Sequence, residues 1–300
     1  MRQSVIISTV SGVRYEDTLA AIRSVYAQSE LPHEVILIVD GNRELFERFS
    51  RESRIKDYES LLIHFNEIDL GLANSRNIGL ELAEGDIISY IDDDAEVGPD
   101  WTANVIKAFE DERVDAVTGT VLPNWMFEKP DWFGEELYWM ISCSYTGSDR
   151  SRGFGTNMSF RASTLERLGG FETRLGLSGK KWLGGEDTEM FLRVARDGGE
   201  TAYLDNVLVH HKVYPGRLEL QNIIKRSYAA GLSMQHLKRL SPGSASSTEE
   251  SYMLSLVTDT YPGLVMSMLR SLDPVYGKRL LILGASNLST LAGWLLNFRG

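Results

Sequence analysis

Three consecutive aspartates, Asp92, Asp93 and Asp94, follow the apolar run "GDIISYI" (85–91). Carboxylates packed that closely repel one another unless a cation, hydrogen-bond donors or open water offsets the charge. Two carboxylates flanking one residue at a strand end can share a hard divalent cation through oxygen ligands, and that cation could bridge a diphosphate. The competing reading is a solvated acidic turn. A second acidic pair, Glu186-Asp187, stands in "GGEDTEM" after two glycines, where a helix begins. A helix N-terminus favours an ionised carboxylate, and an ionised aspartate there could take a proton from a hydroxyl. Simple capping by Asp187 is the plainer alternative.

Two further groups carry chemistry. Arg76, in "GLANSRNIG" (71–79), precedes the aspartate-bearing strand, and arginine holds phosphate through paired hydrogen bonds. His210 and His211 close the run "VLVHH". Neighbouring residues on a strand face opposite ways, so one of the two can join a metal site, and His210 is the one expected.

Elements must bring these residues together. "SVIISTV" (4–10), "EVILIVD" (34–40), "SLLIHF" (60–65), "DIISYI" (86–91) and "VDAVTGTVL" (114–122) read as strands. Helical spacing over 16–28, 43–54, 73–84 and 100–110 separates them. Strands apolar throughout, alternating with helices, predict a mostly parallel α/β sheet covered on both faces. In such sheets ligands bind beyond the carboxyl ends of the strands, where Thr9, Ser11, Asp40 and the three aspartates would gather. Further on, 153–163 reads as a turn and strand, 184–199 as a loop and helix, 201–213 as a strand and 217–239 as a basic helix. The aromatic stretch 122–147 either lines a ligand pocket or touches lipid headgroups through Trp125, Trp132 and Trp139, or packs beneath a long loop.

A net charge of −11 argues against a nucleic-acid partner. From Lys212 onward, however, ten Lys/Arg face five Asp/Glu, a basic stretch suited to an anionic membrane surface. Residues 280–298 are uncharged, with Ser286, Thr290, Gly293 and Asn297 on one helical face. That pattern predicts a helix lying at an interface or packed on the domain before it predicts a span. A single cysteine, Cys143, precludes an internal disulfide and fits a reducing compartment. "MRQSVIISTV" predicts a strand rather than a secretory leader. No G-x-G-x-x-G follows the first strand, against a nicotinamide enzyme.

The ordered series "VIISTV", "AIRSVYAQ", "VILIVDG", "GLANSRNIGLELAEGDIISYIDDDAEVGPDW", "GTNMSFRASTLERLGGFE", "GGEDTEMFLRVARDGG" and "VLVHHK" resembles the family 2 glycosyltransferases, from Ser4 to about Arg239. The resemblance implies a GT-A fold, Rossmann-like, with a C-terminal helical extension, and a nucleotide-sugar donor with Mn2+ or Mg2+. It implies that Thr9, Ser11, Asp40, Arg76, Asp92 and Asp93 lie on the donor side. Asp92, Asp94 and His210 would hold the metal, Asp187 would be the base assisted by Glu186, and Asn157 and Trp182 would shape the acceptor side. The first strand departs from the family by ending "STVSG" instead of in a Pro-x-Tyr-Asn pattern.

A narrower likeness, carried by "VDGNRELFER" and "VHHKVYPGRL", is to archaeal enzymes that add a hexuronic acid to a dolichyl-phosphate-linked sugar in protein N-glycosylation. It implies UDP-glucuronic acid, a lipid-linked (polyprenyl or dolichyl) acceptor, peripheral membrane contact at the cytoplasmic face, and Lys212 or Arg217 pairing with the donor carboxylate or lipid phosphate. The alternatives are another donor (UDP-glucose, UDP-GlcNAc or GDP-mannose) used for surface polysaccharide, or a non-catalytic nucleotide-sugar-binding protein. The expected organisation is a catalytic domain over 1–215, with a nucleotide-sugar half to about 121 and an acceptor half after it. A basic helix (216–240), a linker (241–251) and an apolar helical segment (252–300) would follow.

Overall fold

The computed structural model describes residues 1–145, 153–176, 183–240 and 256–296. The linker expected at 241–251 and Trp182 lie outside the described residues. By its internal contacts the chain divides into two compact units, residues 1–122, 150–181 and 186–212, and residues 123–149, 182–185 and 213–300.

The first unit is built on β1 (Gln3–Thr9), β2 (Glu34–Asp40), β3 (Leu61–Asn66) and β4 (Ile87–Asp92). These four pair in parallel in the order β3-β2-β1-β4. β5 (Ala95–Val97), β6 (Val114–Trp125), β7 (Met158–Arg161) and β8 (Glu200–Val213) extend the sheet as β7-β6-β8-β5. β7 runs antiparallel to both β4 and β6, so β6 keeps the direction of β4 with one reversed strand between them. The expected α/β sheet is present: its β3-β2-β1-β4 half is parallel, and its other half brings in antiparallel pairs, so the sheet as a whole is mixed.

Burial on both faces explains why β1 and β2 are apolar throughout. Val5, Ile7, Val35, Leu37 and Val39 face one core, which includes Leu19, Ile22, Leu45, Phe49, Trp101 and Val105. Those side chains come from α1 (Tyr15–Tyr26), α2 (Arg43–Ser50) and α4 (Trp101–Ala108). Ile6, Ile36 and Ile38 face the other core with Ala73, Leu165, Met190 and Phe191. These belong to α3 (Leu72–Leu82), α5 (Ala162–Leu168) and α6 (Glu186–Arg196). Each large aliphatic side chain so buried contributes about 1.5–3 kcal/mol before the entropy of ordering is charged against it. The strand ends that this sandwich fixes carry the candidate site.

In the second unit, α7 (Leu220–Leu240), α8 (Tyr261–Ser271) and α9 (Pro274–Leu296) gather. α7 and α9 approach closely at Gly231 and Gly293, where a Cβ on either would collide with the other helix's backbone. Ser227 and Ser286 hydrogen-bond between them at 2.9 Å. No helix of the described residues is long and apolar enough to cross a membrane; the uncharged run from 280, as far as it is described, packs on α7. It keeps an outward stripe of Leu281, Leu288, Leu291 and Leu295, 76%, 69%, 47% and 47% exposed. The aromatic stretch packs on itself: Trp125 meets Phe133 at 5.7 Å and Phe133 stacks on Tyr138 at 6.1 Å. Phe133 is fully buried, as the packing alternative requires.

Candidate active site

β1 and β4 pair so that Ser8 stands beside Asp92, which brings Thr9 to the aspartate turn. The Thr9 hydroxyl donates to Asp93 Oδ2 at 2.7 Å. Arg14 spans the next two carboxylates, with Nη1 2.6 Å from Asp93 Oδ1 and Nη2 3.1 Å from Asp94 Oδ2. Ser11 caps the short 3-10 turn Gly12–Arg14 that carries this arginine, so its side chain shapes the loop. Asp92 accepts from Thr156 Oγ1 at 2.8 Å and lies 3.4 Å from Arg76 Nη2. The mutual repulsion of the three aspartates is therefore met by two guanidinium groups and two hydroxyls. Even so, burial pushes the Asp93 carboxyl up to about 6 against the pull of Arg14.

His211 Nε2 sits 3.1 Å from Asp94 Oδ1, and both residues are 1% exposed. Asp92, Asp94 and His211 each offer a ligand atom, all within 4.8 Å of one another. Two carboxylates and an imidazole fit a divalent cation, and the nitrogen donor suits Mn2+ better than Mg2+. His210, expected from the sequence, is not in this group. The antiparallel pairing of β5 with β8 sets Ala95 opposite His211 and Glu96 opposite His210, which turns the second imidazole toward the aspartates. Lys212 is likewise held: its ammonium lies 3.1 Å from both Asp17 and Glu96, a strut between β8, α1 and β5.

Arg76 links the aspartates to the start of α6. It is buried, with Nη1 2.8 Å from Glu186 Oε1 and the guanidinium 5.6 Å from the Phe171 ring centroid. Asp187 Oδ2 accepts the Gly155 amide at 2.8 Å, and Oδ1 accepts the Thr188 amide at 2.7 Å. A Cβ at 155 would sit 2.6 Å from Arg76 Nη2 and 3.3 Å from Asp187 Oδ2, so a side chain there would have to push the buried guanidinium aside. The aspartate turn, Arg76, Gly155-Thr156 and Glu186-Asp187 thus form one hydrogen-bonded array. Burial raises the Glu186 carboxyl to about 7, opposed by Arg76, while Arg76 itself stays charged, held by Glu186 and Asp92 despite its burial. Glu186 Oε2 is buried with no hydrogen-bond partner among the described residues.

Asp40 and Asn157 stand apart from this array. Asp40 is buried and accepts from Asn66 Nδ2 at 2.8 Å and from the Leu70 and Gly71 amides at 3.1 and 2.9 Å, so its carboxylate braces the loop into α3. Gly41 beneath it has φ +64° and lies against the Asp69 backbone, where no side chain fits. Asn157, expected on the acceptor side, is fully buried. It accepts from Trp101 Nε1 at 3.0 Å and donates to the Val207 carbonyl at 2.8 Å, a tie between α4 and β8. Sequence reasoning missed Arg14, Gly155 and Thr156. The signal for Arg14 was a basic residue in the loop leaving β1, next to the strand that carries the aspartates.

The sheet order and the site at its strand ends define a GT-A-type architecture. A solved mannosyltransferase of Pyrobaculum calidifontis, in complex with GDP-Man and Mn2+, superposes with a TM-score of 0.66 at 18% identity, covering 99% of this chain and 88% of that one. GalNAc-T7 with UDP, GalNAc and Mn2+ gives 0.56 at 16% identity, covering 87% and 57%. The profile described as "Glycosyl transferase family 2" matches residues 4–168, and that of "Glycosyl transferase family group 2" matches residues 87–296. The glucosyl-dolichyl phosphate glucuronosyltransferase of Haloferax volcanii is 33% identical over 276 residues, 88% of this chain and 87% of that protein. The succinoglycan biosynthesis protein ExoM of Rhizobium meliloti is 26% identical over 175 residues, 58% and 54% of the two chains. This chain belongs to glycosyltransferase family 2 and is a glycosyltransferase.

Proposed function

We propose that this glycosyltransferase moves glucuronic acid from UDP-glucuronic acid to a lipid-linked sugar in one inverting, cation-assisted displacement. The observation that carries the mechanism is the continuous array from Asp94 through Asp92 and Arg76 to Glu186-Asp187. Asp92, Asp94 and His211 would hold Mn2+ or Mg2+. The bound cation supplies charge neutralisation at the departing diphosphate. Asp187 takes the proton of the acceptor hydroxyl, and the oxygen attacks the anomeric carbon. The bond to the diphosphate breaks with its electron pair leaving on UDP, so an α-linked donor gives a β-linked product. Thr9, Asp93 and Arg76 sit on the donor side, which Ser11 and Asp40 shape through the loops they brace. Residues to about 121 serve the nucleotide and 122–215 the acceptor.

The donor assignment draws on the Haloferax relative, whose name states that activity. A lipid-linked acceptor fits a protein resting on the cytoplasmic face of a membrane. The leucine stripe of α9 and the basic residues after Lys212 support that placement. One experiment tests both parts. A panel of nucleotide sugars is assayed for metal-dependent nucleotide release and product mass, with the lipid acceptor in anionic vesicles that are then floated. Preference for UDP-glucuronic acid and co-flotation are expected. Preference for GDP-mannose or UDP-glucose would discard the glucuronosyl assignment, and protein left entirely in the aqueous fraction would discard the membrane contact.

A further inference from the structure

Arg14 has no part in the mechanism above, yet it makes the shortest ion pair to the aspartate turn. Its guanidinium reaches Asp93 at 2.6 Å and Asp94 at 3.1 Å. Its backbone is fixed twice: the Arg14 amide donates to the Ser11 carbonyl at 3.0 Å, and Thr18 Oγ1 donates to the Arg14 carbonyl at 2.9 Å. The guanidinium reaches solvent, its side chain being 38% exposed while those of Asp93 and Asp94 are 7% and 1% exposed.

Asp94 is engaged at both oxygens, Oδ1 with His211 and Oδ2 with Arg14. A cation taking Asp92, Asp94 and His211 would enter between Asp94 and the imidazole, and the Arg14 guanidinium on the other Asp94 oxygen would then share one carboxylate with a like charge. Asp93 lies outside the ligand group and is bonded to Thr9 as well. We propose that Arg14 is a displaceable counter-ion, which neutralises the Asp93–Asp94 pair in the metal-free protein and retreats onto Asp93 when the cation arrives. This rests on the cation site proposed above. Two consequences follow from Coulomb's law. Arg14 supports the metal-free fold by relieving like-charge repulsion, and it weakens cation binding by competing for Asp94. A purely structural arginine would do only the first.

The test is Mn2+ titration calorimetry, without donor or acceptor, on the full chain and on Arg14→Gln, together with the melting temperature of each with and without Mn2+. The expected result is a lower metal-free melting temperature for Arg14→Gln, Mn2+ affinity higher by about tenfold, and a larger Mn2+-induced rise in melting temperature. Arg14→Lys keeps the charge but reaches one carboxylate at a time. It is expected to fall between the two and carries the test if Arg14→Gln does not fold. Wild-type Mn2+ binding with equal or weaker binding by the variants overturns the counter-ion and leaves the metal site standing. Absence of Mn2+ binding by wild type and variants alike overturns the metal site and the counter-ion with it.

Discussion

Two groups of adjacent carboxylates meet at Arg76, and they are built differently. Asp92, Asp93 and Asp94 end a central strand, and both guanidinium groups, an imidazole and two hydroxyls are arranged around them. Glu186 and Asp187 open a helix, where Asp187 is held by backbone amides and Glu186 keeps one buried oxygen without a partner among the described residues. In the proposed mechanism the carboxylates and imidazole of the first group take the cation, and the two guanidinium groups already offset part of the negative charge there. In the second, Glu186 is paired with Arg76 while backbone amides hold Asp187, which makes Asp187 the carboxylate that handles the proton in that mechanism. Removing a charge from each group should therefore damage different steps.

The largest separation is expected from Asp187→Asn. Turnover should fall by about 10²- to 10⁴-fold, with Mn2+ and nucleotide affinities unchanged by calorimetry. Near-normal turnover would remove Asp187 from the role of base. A smaller effect is expected within the aspartate group. His211→Gln should lower Mn2+ affinity by at least about tenfold, while His210→Gln should leave it at the wild-type value. Equal effects of the two substitutions would sink the choice between the imidazoles.

The legible part of this site is what sequence-local chemistry dictates. β1, β2 and β4 announce themselves because strands buried on both faces have no room for polar residues, and the aspartates mark where β4 stops. Asp187 is visible because glycines and acidic residues at a helix start have a physical signature. What stays hidden is register and long-range closure. Whether His210 or His211 faces the aspartates is decided by a three-residue strand, β5, pairing across more than a hundred residues, and one step of slip exchanges them. Arg14 ends a single 3-10 turn and Thr156 sits in a turn, both too short for a periodicity, so only the packed sheet reveals them as partners of the aspartates. β7 is four residues long, too short for its reversed direction to be read.

The smallest expected effect concerns stability and sharpens the proton-handling side of the comparison. Burial lifts Glu186 from 4.5 to about 7 and Asp93 from 3.8 to about 6. A folded-state value above the unfolded one means that the native protein holds the proton more tightly, so stability falls as pH rises through that window. For Glu186 the contribution is complete below pH 4.5 and lost by about pH 7, amounting to at most about 3 kcal/mol. Glu186→Gln keeps an oxygen for Arg76 and never ionises. With EDTA present, its urea-unfolding free energy should be flatter than wild type from pH 6 to 7, above the Asp93 window. Parallel curves over that interval would show that Glu186 titrates at its ordinary value, and its unpartnered oxygen would then belong to a carboxylate already ionised beside Arg76.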